Sequence, residues 1–349
     1  MWEWASPLRR FMNILVVGTG NIASTLINLL LEYRDLLGIG TLWVLKNRLQ
    51  PWQLPDLDIL RERGAVLCSR ERIAGMTLLS EIESHVDYVF DCAENGTALS
   101  LKHYYERLPR LIGACAQGSE KGFGIPFMTG INTAAVRGAR FVQIVSCNTH
   151  GTAAVLKTFA GENLERLIEG DTVVVRRCED IGAHQRLVAA SVVARHLDPV
   201  IGTHHAIDVI DLWKTVGIAP NISSSDVTTP SQLMHAARFH LILDHETSGE
   251  EIKDRIAANP LVGTTGKFDS NSVFELGRRY GFQGRIFEHA IVVDGNLLVE
   301  GNRIRGWIFV PQEGNTVLST LDAFLLQVGF PERDQVLAVI QQRLLRGRW

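Results

Sequence analysis

The segment 13–33 constrains the fold more than any other part of the chain. An apolar run at 13–17 leads into the turn Gly18-Thr19-Gly20-Asn21-Ile22-Ala23, and a stretch of helical spacing follows to Tyr33. A short apolar run before such spacing reads as a buried strand feeding a helix. In a GxGxxA turn the first glycine bends the chain tightly and the second lets a pyrophosphate approach the backbone. The final small residue permits close helix–strand packing. A diphosphate would then rest against the amides and positive end of the helix. Gly18, Gly20, Asn21 and Ile22 are therefore candidate dinucleotide contacts, with a plain tight turn as the alternative.

The rest of the first 146 residues repeats the strand–helix alternation. Strand-like runs at 40–45, 65–68, 86–93, 111–116 and 141–146 are separated by helical patterns at 56–64, 78–85 and 99–108. Such alternation implies crossover units and a parallel sheet. The expected architecture is α/β, with an N-terminal Rossmann-type doubly wound parallel sheet over 1–146. Beyond Ser146 a helical stretch at 149–161 gives way to longer β-type runs at 171–178, 240–246, 285–302 and 303–312. Turn pairs at Asp294-Gly295 and Gly301-Asn302 suggest hairpins. The expectation for 147–316 is an α+β catalytic domain with a mixed or antiparallel sheet, and the helical tail at 317–349 is expected to pack back on the first domain.

Composition excludes several classes. With 349 residues, 35 Lys and Arg, and 38 Asp and Glu, the formal net charge is −3, which gives no footprint for a nucleic-acid backbone. An apolar fraction of 46% fits a folded chain of two domains and excludes wholesale disorder. No run approaches the ~18 apolar residues of a membrane span, and the N-terminus lacks the apolar core of a secretory signal. Five cysteines, at 68, 92, 115, 147 and 178, form no paired spacing, so thiols in a reducing, cytoplasmic setting are expected. Trp2 and Trp4 precede the first strand without an assigned role.

Two local features carry chemistry. An Asp or Glu about twenty residues past the glycine turn usually reads ribose hydroxyls. Here the second strand ends in Lys46-Asn47-Arg48 instead. Two cations there suit a 2′-phosphate, so NADP is expected, with NAD and a solvated basic turn as alternatives. Cys147, in Ser146-Cys147-Asn148-Thr149-His150-Gly151, stands between an apolar strand and an Ala-rich helix. A thiol at a helix N-terminus is stabilised as thiolate by the dipole and the amides, which makes it a nucleophile. Cys68, Cys92 and Cys115 lie in or beside apolar strands and read as inert.

Ser146-Cys147-Asn148-Thr149 resembles the nucleophile motif of the archaeal-type (type II) glyceraldehyde-3-phosphate dehydrogenases, and further resemblances run along nearly the whole chain. Gly18–Ala23 resembles that family's glycine turn, and Val44-Leu45-Lys46-Asn47 the end of its second strand. Gln117-Gly118-Ser119-Glu120-Lys121, Val174-Val175-Arg176-Arg177, Thr203-His204-His205, Pro230–His235 and Pro311-Gln312-Glu313-Gly314 resemble later segments in the family's order. The resemblance implies that Lys46, Asn47, Gly118, Arg177 and Gln312 contact the dinucleotide. It implies that Ser146, Asn148, Thr149, His204 and His205 hold substrate or phosphate, and that the chain is a homotetramer or homodimer; the adjacent His204 and His205, with no carboxylate or cysteine at ligand spacing, lead to the expectation of no metal. It also implies that the Cys147 thiolate attacks an aldehyde, hydride leaves for the nicotinamide, a His takes the hydroxyl proton, and phosphate cleaves the thioester.

Three departures fall in the implied site. Of the family's Met-His-x-His pair only His235 remains, with Ala237 at the second position. Pro311 replaces the His before Gln312, and His150 replaces a Thr. His150 lies three residues after Cys147, so on a helix their Cβ atoms would be ~5–6 Å apart. His150 is therefore a candidate substitute base; the alternative has it capping the helix or facing solvent. The readings carried forward are an NAD(P)-dependent aldehyde dehydrogenase, an acyl-phosphate reductase or acyl-transfer enzyme, and a dinucleotide-binding protein without dehydrogenase chemistry.

Overall fold

The computed structural model describes residues 11–46, 48–118, 120–179, 188–231, 233–282 and 284–349. Asn47, Ser119, Trp2 and Trp4 lie outside the described residues. The chain forms two compact units. The first holds the residues up to Gly124, Arg137–Gln143 and Ala323–Val336; the second holds Ile125–Val136, Ile144–Asp322 and Leu337–Trp349. No helix among the described residues is long and apolar enough to cross a membrane.

The chain opens with β1 (Met12–Val17), α1 (Asn21–Glu32), β2 (Ile39–Leu45), α2 (Leu54–Glu62), β3 (Val66–Ser69), β4 (Thr77–Leu78) and α3 (Leu79–Ile82). It continues through β5 (Tyr88–Asp91), α4 (Thr97–Glu106), β6 (Gly113–Gln117), β7 (Ile125–Phe127), α5 (Thr133–Val136) and β8 (Phe141–Ile144). The eight strands form one sheet in the order β4-β3-β2-β1-β5-β6-β8-β7. Pairing is parallel from β4 through β6. Strand order reverses at β1, whose neighbours are β2 and β5, so the glycine turn after β1 lies where doubly wound sheets bind ligands. This is the parallel sheet expected from the alternation.

The second unit continues with α6 (Cys147–Ala160), β9 (Leu167–Arg177), β10 (Val192–Val193), α7 (His204–Lys214), β11 (Ile222–Thr229), β12 (His235–Leu243) and α8 (Gly249–Ala258). Then come β13 (Val262–Thr265), α9 (Ser270–Arg279), β14 (Ala290–Val293), β15 (Leu298–Glu300) and β16 (Arg303–Val310). The closing helices are α10 (Val317–Gln327) and α11 (Arg333–Leu344). The second sheet has the order β10-β11-β9-β12-β16-β14-β13, with β15 on β16. It is mixed: β9–β11 and β13–β14 are parallel, while β12 is antiparallel to both β9 and β16. Along β12, buried His235, Ala237, Phe239, Leu241 and Leu243 alternate with half-buried residues, the period of a strand with one covered face. That face packs with Ala153, Leu156 and Phe159 of α6 in one apolar core.

The tail is shared between the two units. Only 323–336 joins the first unit, where Gln327 accepts the Tyr88 hydroxyl at 2.5 Å and donates to the Ala139 carbonyl at 2.8 Å. The last residues, 337–349, belong to the second unit. There the Thr264 amide donates to Gly347 and the Trp349 amide donates back to Thr264, each at 2.8 Å, adding a strand-like rung beside β13. Backbone amides left unpaired when buried are costly, and this rung satisfies them.

Candidate active site

α6 starts at Cys147 because Ser146 is an N-cap residue of the favoured type. Its hydroxyl accepts the Thr149 amide at 3.3 Å and lies 2.9 Å from the Thr149 hydroxyl. Cys147 is half-buried at the first position of the helix, as its sequence context implied. The other side of the junction is pinned by Asn315, whose Nδ2 donates to the Cys147 and His289 carbonyls at 3.0 Å each. Gly151 permits the helix to lie close on β16, since a Cβ there would come within 2.9 Å of Val310. Asn148 is buried, and among the described residues no group donates to its Oδ1. None of the five cysteines is in a disulfide. Burial pushes the Cys68 and Cys115 thiols up to about 12 and that of Cys92 well above its ordinary value.

His150, the candidate partner of the thiol, has its ring held by other groups. The ring is fully buried, and both nitrogens are engaged. A carbonyl can only accept, so Nδ1–H donates to the Ser146 carbonyl at 3.0 Å. Nε2 therefore accepts from the Ser319 hydroxyl at 2.8 Å, and that oxygen in turn accepts the Thr129 amide at 3.0 Å. Burial lowers the pKa of His150 to about 4, against the opposing pull of its backbone hydrogen bonds. Helical spacing put His150 on the turn above Cys147, but tertiary packing turned its ring into a hydrogen-bonded chain.

His235 begins β12, directly after Met234, whose backbone is left-handed at φ 56. Its Nδ1 accepts the Arg177 amide at 3.0 Å, which leaves the neutral ring's proton on Nε2. Burial, then the Arg177 and Arg176 charges, pushes its pKa well below the usual imidazole range. His235 thus stands as a neutral donor, and its register partner is Val310, the residue against which α6 packs. Ala237, two residues on, faces the same side and is enclosed in the apolar core. Arg177, expected to contact a dinucleotide, has a buried guanidinium whose Nη2 donates to Glu313 Oε1 at 2.6 Å. Glu313 belongs to the turn after β16, and Gly314 beside it has no room for a Cβ, which would fall 1.9 Å from the Ile286 carbonyl. Gln312, half-buried, is on this same turn.

His204 and His205 open α7, with ring centroids 4.0 Å apart. A carboxylate that spacing could not reveal meets them: Asp226 Oδ2 lies 3.5 Å from His205 Nε2. Burial pushes the Asp226 carboxyl up, but His205 and Arg176 together hold it below the usual range. Burial, then His205, lowers His204. An anion held by His204 and His205 would therefore lie beside the Asp226 carboxylate.

In the first unit the glycine turn has the form a dinucleotide requires. Gly18 is left-handed at φ 101, and a Cβ there would press on the Cys92 carbonyl at 3.0 Å. Nothing stands within 4 Å of a Cβ on Gly20, and no side chain caps α1. Ala23 is fully buried, while Asn21 and Ile22 are half-buried. Lys46 donates to the Thr19 hydroxyl at 3.1 Å, inside the turn. Gly118, left-handed at φ 77, has open space beside it, and its carbonyl accepts from Gln143. These residues fit a bound dinucleotide.

No protein-family model matches the chain. Curated relatives are similar over most of its length. Glyceraldehyde-3-phosphate dehydrogenase of Sulfolobus acidocaldarius is 25% identical over 79% of this chain and 80% of its own. That of Methanoregula boonei is 24% identical over 89% and 91%, and that of Sulfurisphaera tokodaii 24% over 78% of each. The chain is thus similar over most of its length to the archaeal glyceraldehyde-3-phosphate dehydrogenases. Sequence reasoning missed Asp226, Ser319 and Asn315, and gave Glu313 no role. The one available signal was the polar run Ser223-Ser224-Ser225-Asp226, too hydrophilic for an ordinary strand unless its inward face holds polar groups.

Proposed function

We propose that the chain is a nicotinamide-dinucleotide-dependent aldehyde dehydrogenase in which Cys147 is the nucleophile. The observation that carries this reading is Cys147 at the first position of α6, where the helix dipole and first-turn amides favour a thiolate. The likeness to the archaeal dehydrogenases and the open turn at Gly20 support it. When bound, NADP or NAD supplies the hydride acceptor; Lys46 beside the turn favours NADP. Gly18, Gly20, Asn21, Ile22 and Gly118 would hold it.

The loss of a second histidine at Ala237 does not block this chemistry. Attack by Cys147 as thiolate converts the aldehyde carbonyl to an alkoxide, with a new C–S bond and no proton to remove. His235 Nε2–H donates to that oxygen, which suits its Nδ1 being already taken. Hydride departure from the same carbon leaves a thioester on Cys147. Phosphate oxygen then attacks the thioester carbon, forming an acyl phosphate and returning the thiolate. His235 is here a hydrogen-bond donor, and no group acts as base before the acyl-transfer step.

The test is reduction of NADP and NAD over a set of phosphorylated and unphosphorylated aldehydes, glyceraldehyde 3-phosphate included, with and without inorganic phosphate. Turnover is expected with at least one aldehyde, preferring NADP, and to fall at least about 10⁴-fold in Cys147→Ser. Turnover that survives in Cys147→Ser would refute the reading. Tight dinucleotide binding without turnover of any aldehyde would favour the non-catalytic alternative that Ala237 and Pro311 suggest. Phosphate-independent turnover would favour another acyl acceptor.

A further inference from the structure

The α7–β11 junction brings together three side chains that the redox reading leaves without a task. His204 and His205 are the first two residues of α7, and Asp226 comes from β11. Their positions are fixed by the backbone. Gly202, left-handed at φ 88, lies so close to β11 that a Cβ would come within 2.0 Å of the Ser224 carbonyl. Thr203 shares a 2.7 Å hydroxyl contact with Ser224, whose hydroxyl also accepts the Ala206 amide at 2.9 Å. Ser224 and Asp226 are alternate residues of one strand and share its buried face. The clamp at Ser224 therefore sets the first turn of α7 over Asp226.

Each of the three residues offers one ligand atom, and these atoms lie within 4.8 Å of one another. His205 and Asp226 are each only 3% exposed. Yet neither ring nitrogen of His205 and neither oxygen of Asp226 has a hydrogen-bond partner among the described residues. Their mutual approach of 3.5 Å is too long for a good hydrogen bond but close to the spacing of two ligands on one ion. Zinc bonds of about 2.0–2.2 Å in a tetrahedron separate neighbouring ligand atoms by about 3.3 Å. Buried polar atoms in such a set, left unsatisfied, call for a ligand.

The donor types decide its kind. Asp226 supplies a carboxylate from β11, and Asp208 lies one turn along α7 from His204. Against them stand Arg176, whose Nη1 is 3.9 Å from Asp226 Oδ1, and the half charge of the α7 N-terminus. Arg176 approaches Oδ1, leaving Oδ2 on the His205 side. Two imidazoles and one carboxylate are a donor set for a borderline transition ion.

We propose that His204, His205 and Asp226 bind one divalent transition-metal ion, zinc by preference, with a fourth position for water or a substrate oxygen. Spacing alone had offered only two adjacent histidines; the third ligand comes from a strand elsewhere in the sequence. The site stands independently of the Cys147 chemistry.

Chelator-dialysed full-length protein, titrated calorimetrically with zinc and optically with cobalt, tests it. One ion per chain is expected, with visible cobalt bands of tetrahedral nitrogen and oxygen ligation and no thiolate charge-transfer band. Asp226→Asn and His205→Gln should each weaken zinc at least about 10-fold, and so should the half-buried His204→Gln, while Cys147→Ser binds as wild type. Circular dichroism of each variant separates loss of a ligand from loss of fold. An anion site forecasts the reverse: Asp226→Asn would strengthen binding of inorganic phosphate. That result, absence of zinc binding, unaltered affinity in all three ligand variants, or loss of binding in Cys147→Ser would each overturn the proposal.

Discussion

Cys147 and His150 are three residues apart on one helix, yet their environments differ in every respect that governs reactivity. Cys147 is half-buried at the helix start, whereas Cys68, Cys92 and Cys115 have thiols driven up by burial. Iodoacetamide at neutral pH, with sites read by peptide mass spectrometry, should therefore modify Cys147 well before those three; equal slow labelling of all would contradict an activated thiol. His150 makes a prediction of the other kind. An unfolded histidine titrates near 6.5, and here the folded value is about 4. As pH falls below about 6.5 the unfolded chain takes up the proton first. The stability held by the neutral ring is thus complete above pH 6.5 and is lost as pH falls toward 4, by about 3 kcal/mol. His150→Ala should destabilise by about 3 kcal/mol at pH 8, because it leaves a void and strands the Ser319 hydroxyl. In urea titrations that gap should narrow by about 2 kcal/mol at pH 5; an unchanged gap would mean the ring is not held neutral.

At the scale of elements, the strand–helix alternation of the first 146 residues was readable because buried parallel strands are short apolar runs and crossover helices carry their own period. The helical run from 149 was readable for the same reason, while its start at Cys147 and its Ser146 cap come from the structure. What pairs with what across the second sheet was not readable. Arg177 meets Glu313 across 136 positions, and Asp226 meets His205 only because β11 runs parallel to β9 beyond α7. Such contacts depend on register, and register is a property of the whole sheet. The α7–β11 seam illustrates how tightly register is held. Gly202→Ala would need a left-handed backbone and would drive a methyl into the Ser224 carbonyl, so a loss of about 4 kcal/mol or more is expected. Gly217→Ala, equally left-handed but with open space around it, should cost only about 1–2 kcal/mol. Thermal melts of the two variants compare the clash with the backbone term alone; equal losses would show that the seam gives way without cost.

For the whole molecule, the chain changes unit after Gln143, and its tail is shared between the two units. Amphipathic helices at the end of a chain announce that they pack, but not on which unit. Here the last turn is committed by backbone bonding and by one aromatic ring. Trp349 is 3% exposed, stacks edge-on to Tyr280 at 5.6 Å, and is the ring a Cβ on Gly263 of β13 would strike. Glu288 completes the anchor by accepting the Arg346 and Gly347 amides at 2.6 and 3.0 Å. Trp349→Ala removes the ring and leaves a cavity between α9 and the edge of the second sheet, at a cost of about 3–5 kcal/mol. Because each unit has its own core, the loss should remain within the second. Hydrogen exchange should show faster opening of peptides covering β13, β14 and α9, with β1 and β5 protected as before. Loss of protection at β1 and β5 to the same extent would mean that the two units unfold as a single cooperative body.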